Sequence, residues 1–181
     1  MTELRSKLEQ TWSRGTFTFL VNNAGIGLHK SIAETTESEF DDMANVQMKG
    51  VFFLTQRLLP LIAEGGRIVN LSSCLVRYVA SPAAIYAMTK GSIDVFTRYL
   101  AKELGPRNIT VNVVAPGAIA TDFNGGATRD DPKVGEMVAA VTALGRAGKA
   151  DDVGPMIASL LSDDNHWVNG QRIEVSGGMA L

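Results

Sequence analysis

Residues 67 to 73 read "RIVNLSS", a short β-branched, largely apolar run that stops at two hydroxyl side chains. Runs this short and this apolar mark parallel strands covered on both faces. Three others share the pattern: "FTFLV" (17 to 21), "ITVNVV" (109 to 114) and "RIEV" (172 to 175). Helical patterns lie between them. One spans about 37 to 63, with Thr36 and Glu39 as a capping box ahead of apolar Phe40, Met43, Val46 and Phe53, and a late bend at Pro60. The next opens with Ser81 as cap and Pro82 in its first turn, and closes at Gly105 and Pro106. Further helices cover about 151 to 162 and about 3 to 13. Alternating strands and helices predict an α/β layer fold with right-handed crossovers. The strands end in small or polar residues, "NNAGIG", "SSC" and "APGAIATD". In open α/β sheets ligands bind at the carboxyl ends of strands, so these three ends are expected to share one crevice.

A chain of 181 residues suits one domain, with 45% hydrophobic and 20% charged residues placing it in the ordinary globular class. The formal net charge of −2 and the lack of a Lys/Arg cluster argue against a nucleic-acid partner. Cys74 has no second cysteine to pair with, and "MTELRSKLEQ" lacks the basic-then-apolar pattern of a signal peptide, so a cytoplasmic location is expected. The most apolar window, "VFFLTQRLLPLI", is interrupted by Gln56, Arg57 and Pro60 and is too short to span a bilayer. No membrane partner is expected. His29 and His166 stand apart from each other and from Cys74, without metal-ligand spacing, and no metal site is assigned.

The helix after "RIVNLSS" carries "AIYAMTKGS" (84 to 92) near its start. Tyr86 and Lys90 are four residues apart, which puts a phenol and an ammonium on one helix face. A free phenol titrates near pH ~10, and a neighbouring cation favours its ionised form. Taken alone, the pair reads more readily as a solvated amphipathic face than as an active site.

Its surroundings decide between the two. "NNAG" (22 to 25), "NVQMKGVFF" (45 to 53), "RIVNLSS", "YAMTK" (86 to 90), "PGAIATD" (116 to 122) and "GQRIEVSGG" (170 to 178) together resemble the short-chain dehydrogenase/reductases, and 3-oxoacyl-ACP reductase-like members in particular. The resemblance implies a Rossmann-like doubly wound parallel sheet. It also implies an NAD(P)-dependent oxidoreductase that interconverts a carbonyl and a secondary alcohol by hydride transfer. Under it Tyr86 is the proton donor and acceptor, Lys90 binds the nicotinamide ribose and lowers the phenol's pKa, Ser73 hydrogen-bonds the substrate oxygen, and Asn45 holds a relay water. Asn23, Ala24 and Gly25 would lie along the cofactor ribose, while Pro116, Gly117, Ile119 and Thr121 would cradle the nicotinamide. Asn22 fits a tie between strands, and Gly177 and Gly178 fit turn positions. Residues 122 to 149 resemble the family's substrate lid, with Phe123, Met137, Val138 and Val141 as apolar contacts or core.

The departure from the family lies at the start. No glycine-rich turn precedes Asn22, so "FTFLV" corresponds to the family's fourth strand, and about four strands of an N-terminally truncated sheet are expected. The strand that selects between NADP and NAD is missing from this stretch; NADP is slightly favoured. Two readings follow. In one the chain is an enzyme acting on a small carbonyl or alcohol substrate. In the other it is a catalytically impaired paralogue that serves as an oligomerising or regulatory partner. A homo-oligomer is expected, through helices 37 to 63 and 82 to 104 or through the "FTFLV" edge.

Overall fold

A computed structural model describes residues 15–80 and 82–181. The helix expected at 3 to 13 and the Ser81 cap lie outside the described residues. Among these residues the chain forms one four-stranded sheet, in the order β1-β2-β3-β4. The strands are β1 (Phe17–Asn22), β2 (Ile62–Leu71), β3 (Thr110–Pro116) and β4 (Arg172–Val175), and each neighbouring pair is parallel. In register, Asn22 faces Asn70, Leu71 faces Val114, and Val113 faces Arg172. All four expected strands are present, and their carboxyl ends point the same way.

Alternation along β2 and β3 sends side chains to two helical layers. On one face Ile68 and Val111 pack against Leu100, Ala101 and Leu104 of α3 (Ala84–Leu104). On the other, Val69, Leu71 and Val114 meet Val153 and Leu160 of α6 (Ala150–Leu161). Each fully buried aliphatic side chain contributes about 1.5 to 3 kcal/mol, so these two clusters anchor the strand ends that carry the polar residues. β1 departs from the expectation of cover on both faces. Among the described residues it pairs only with β2, and Phe19 and Val21 are 51% and 38% exposed.

The segment expected as one helix from 37 to 63 is divided. It comprises α1 (Glu37–Ala44), a π-helical turn (Asn45–Gly50), α2 (Val51–Leu58) and a 3-10 turn (Leu59–Leu61). The capping box forms as expected: the Glu39 amide donates to Thr36 Oγ1 at 3.3 Å, and the Thr36 amide donates to Glu39 Oε2 at 2.9 Å. The far end is corrected. Pro60, with no amide proton to give, sits in the 3-10 turn, and the chain is already extended at Ile62. β2 therefore begins five residues before Arg67. Gly65, at φ +71°, allows the irregularity by which Phe17 pairs with Ile62 while Phe19 pairs with Arg67.

The buried stripe on this segment is Met43, Gln47, Val51, Thr55 and Leu58. Phe40, Val46 and Phe53, expected on the apolar face, are exposed instead. Two short helices, α4 (Ala127–Asp130) and α5 (Pro132–Ala140), occupy the stretch before α6.

Candidate active site

β2 ends at Leu71, and Ser73 follows as the cap of a 3-10 turn, its Oγ accepting from the Leu75 amide at 3.2 Å. This bond uses an acceptor position of the hydroxyl and leaves its proton free to be donated. Ser72 is turned to the helix behind, where its Oγ donates to the Lys90 carbonyl at 3.1 Å. The adjacent serines are thus held differently: one braces α3, and the other caps the turn after β2.

On α3, Tyr86 is half-buried and Lys90 is 6% exposed. The Lys90 ammonium lies 5.9 Å from the Tyr86 ring centre and donates to the Leu71 carbonyl at 3.0 Å. The strand end therefore fixes the ammonium beneath the phenol. Burial alone pushes the Lys90 pKa down from 10.5 to about 8. Burial also raises the Tyr86 pKa above its ordinary 10, while the hydrogen bond with Ser73 pulls the other way. The expected lowering of the phenol by Lys90 is therefore not what this geometry gives, because desolvation dominates.

Asn45 is not brought to this cluster. Its side chain is exposed and lines an apolar groove with Met48, Phe52, Phe53 and Phe96, a groove that none of Ser73, Tyr86 and Lys90 lines. Two positions on, Gln47 is 1% exposed and donates from Nε2 to Thr89 Oγ1 at 3.0 Å, while Thr89 Oγ1 donates to the Tyr86 carbonyl at 2.9 Å. Gln47 Oε1 is buried without a partner. A Cβ at Gly25 would sit 3.2 Å from that oxygen and 3.4 Å from Lys90 Nζ, so glycine leaves open the space that both groups face. Gln47, absent from the expected set, is the side chain that the structure brings to the same space as Lys90. The signal was present in its spacing: 43, 47, 51 and 55 repeat at four, whereas Asn45 falls between them.

The other residues that the resemblance implies lie past β1, past β3 and in the stretch before α6. Asn23 and Ala24 are exposed just past β1, with Gly25 half-buried beside Lys90. Asn22 is buried and donates to Thr55 Oγ1 at 3.0 Å and Asn70 Oδ1 at 2.8 Å, the tie between elements that was expected. Past β3, Pro116 closes the strand and the Gly117 amide donates to the Val175 carbonyl at 3.1 Å. Ile119 bridges to Gly148 and packs toward the α6 cluster, and Thr121 Oγ1 accepts from the Phe123 amide at 3.3 Å. The Phe123 ring lies 6.0 Å from that of Tyr86. Val138 is core, against Cys74 and Met179, whereas Met137 and Val141 are exposed.

Comparison with known proteins bears on the family and the fold. The family model described as enoyl-(acyl carrier protein) reductase matches residues 1–180. An uncharacterized oxidoreductase of Methylorubrum extorquens is 38% identical over 165 residues, covering 91% of this chain and 66% of that protein. A short-chain type dehydrogenase/reductase of Picea abies is 36% identical over 174 residues, covering 91% of this chain and 61% of that protein. The crystal structure of the angucycline C-6 ketoreductase LanV with bound NADP superposes with a TM-score of 0.90 at 34% identity, over 98% of this chain and 68% of LanV. The chain belongs to the short-chain dehydrogenase/reductase family, with its Rossmann-like α/β fold. It spans 66% and 61% of the length of these two curated relatives.

Proposed function

We propose that the crevice at the strand ends interconverts a carbonyl and a secondary alcohol with NADP, ahead of NAD, as cofactor. The observation that carries this reading is the meeting of Tyr86, the buried Lys90 and Ser73 at the end of β2, beside the open space at Gly25. LanV, a ketoreductase at 34% identity, is described with NADP bound, which supports the choice of cofactor.

The residues present fit a nicotinamide ribose. Lys90 has three ammonium protons and places one on the Leu71 carbonyl; Gln47 offers an unpartnered oxygen beside it. Sugar hydroxyls, which both accept and donate, match that pair. Gly25 would let the ribose approach the backbone closely, and the segment from Pro116 to Thr121 would bound the nicotinamide side. When bound, the cofactor supplies or accepts the hydride.

The chain's own residues handle the proton. Ser73 donates its free hydroxyl proton to the substrate oxygen and orients it toward Tyr86. Tyr86 gives its phenolic proton to the carbonyl oxygen as the carbon is reduced. Lys90 stabilises the phenolate that forms, so it acts on the product of proton transfer more than on the resting phenol. Phe123, against Tyr86, shields the crevice and offers an apolar wall to the substrate. In this reading Gln47 takes the place behind the lysine that Asn45 was expected to fill.

The test is NADPH-dependent reduction of a panel of ketones by the protein and by Tyr86→Phe, with NADPH binding measured in parallel. Loss of turnover with binding retained is the expected result. Equal turnover in the two would end the assignment.

A further inference from the structure

Arg172, the first residue of β4, spreads its guanidinium over three acceptors. Nη2 donates to the Ser73 carbonyl at 2.9 Å, Nε to Asp94 Oδ2 at 3.1 Å, and Nη1 to Glu174 Oε2 at 3.1 Å. Asp94 lies four residues beyond Lys90 and eight beyond Tyr86, on the same face of α3. Its side chain is 8% exposed and that of Arg172 is 24% exposed, so solvent screens the pair weakly. Glu174 is in turn held by Arg77, just past the turn that Ser73 caps, with Arg77 Nη2 donating to Glu174 Oε1 at 2.8 Å. One side chain therefore ties the backbone of Ser73 to the helix that carries Tyr86 and Lys90.

We propose that Arg172, anchored by Asp94, is a positioning residue that sets the approach of the Ser73 hydroxyl to the Tyr86 phenol; this rests on reading Ser73 and Tyr86 as the catalytic pair. The planar guanidinium suits the task because its donors reach a carbonyl and a carboxylate at once, which a single ammonium on a flexible stem does poorly. Burying an ion pair brings little stability by itself, so what this one holds matters more than its strength. It holds the main chain of the residue that the proposed function sets beside Tyr86. Arg172 touches no reacting atom. Its influence passes through Ser73.

The test combines kinetics with a cofactor-free signature. Arg172→Met, Ser73→Ala and the double variant are assayed for NADPH-dependent ketone reduction, and Tyr86 is followed by 13Cζ-tyrosine NMR, assigned by its loss in Tyr86→Phe. The expected fall in kcat for Arg172→Met is roughly tenfold, the consequence of weakening one positioned hydrogen bond, with KM for NADPH unchanged. In the Ser73→Ala background the same substitution should cost almost nothing further. Arg172→Lys should recover part of the loss. The Tyr86 Cζ resonance in Arg172→Met should move toward its position in Ser73→Ala. Additive losses in the double variant, or an unmoved resonance, overturn the proposal. If the parent shows no Tyr86-dependent turnover, the catalytic reading fails, and the resonance still decides whether Arg172 governs the contact between Ser73 and Tyr86. If removing Arg172 alone unfolds the chain by stranding Asp94, replacing both partners of the ion pair at once, Arg172→Met with Asp94→Leu, carries the same comparison.

Discussion

Lys90 is the residue whose chemistry is most changed by its surroundings. Desolvation holds its folded pKa at about 8, below the ordinary 10.5. A base with a depressed folded pKa penalises the fold while both states are charged, so the full cost is present below pH 8 and is relieved as pH rises toward 10.5. Stability of the cofactor-free protein should therefore gain an upward component across that window, and Lys90→Met should lack it. Chemical denaturation of both at several pH values checks the sign. Under the proposed function the consequence runs the opposite way: the ammonium would serve the ribose and the phenolate, so cofactor affinity and reduction should fall as pH rises past about 8. Lys90→Arg, which stays charged, should shift or abolish that fall. Beside it, Gln47 and Asn45 make a paired prediction. Gln47→Leu removes a buried amide next to the ammonium and should cost about 1.5 to 3 kcal/mol of transition-state stabilisation, whereas exposed Asn45→Leu should leave turnover within about twofold of the parent. A larger loss from Asn45→Leu would restore the sequence assignment.

Elements explain why some of the site was legible in the sequence and some was not. Strand ends were legible because a short apolar run followed by small polar residues has few alternatives, and the pair Tyr86 and Lys90 was legible because helix spacing is rigid. The stretch from 37 to 63 misled for two physical reasons. A π-helical turn at Asn45–Gly50 shifts the face presented on either side of it, and large apolar side chains there point outward. Phe52 and Phe53 are 46% and 37% exposed, and with Phe96 and Met48 they form the groove on α2 and α3. Hydrophobicity was thus read as burial where the side chains are open to solvent. We propose that this groove joins copies of the chain in a homo-oligomer. Phe52→Glu should lower the mass seen by light scattering at micromolar concentration, while an unchanged mass would remove the groove from the interface.

For the whole molecule, two sheet faces are sealed by α3 and α6, while β1 keeps Phe19 and Val21 open. The alternative proposal places self-association on this strand, and Phe19→Lys discriminates between the two because it charges the β1 face without touching the groove. Under the proposed function, binding and catalysis would draw on the ends of β1, β2 and β3 together. The network from Thr55 through Asn22 and Asn70 to Thr97 links two of those strands to α2 and α3 with bonds of 2.8 to 3.0 Å. Asn22→Leu would strand these partners and should destabilise the fold by about 1 to 3 kcal/mol, read as a shift in the denaturation midpoint.

The proposed chemistry is tested most directly by following the hydride itself. NADPH carrying deuterium at the transferable position of nicotinamide C4 is incubated with the protein and a ketone that it reduces, and the alcohol is analysed by mass spectrometry. One deuterium on the carbinol carbon, formed by the parent and not by Tyr86→Phe, is the outcome expected of direct hydride transfer with Tyr86 as proton donor. Alcohol without deuterium, or equal labelled product from Tyr86→Phe, would contradict it.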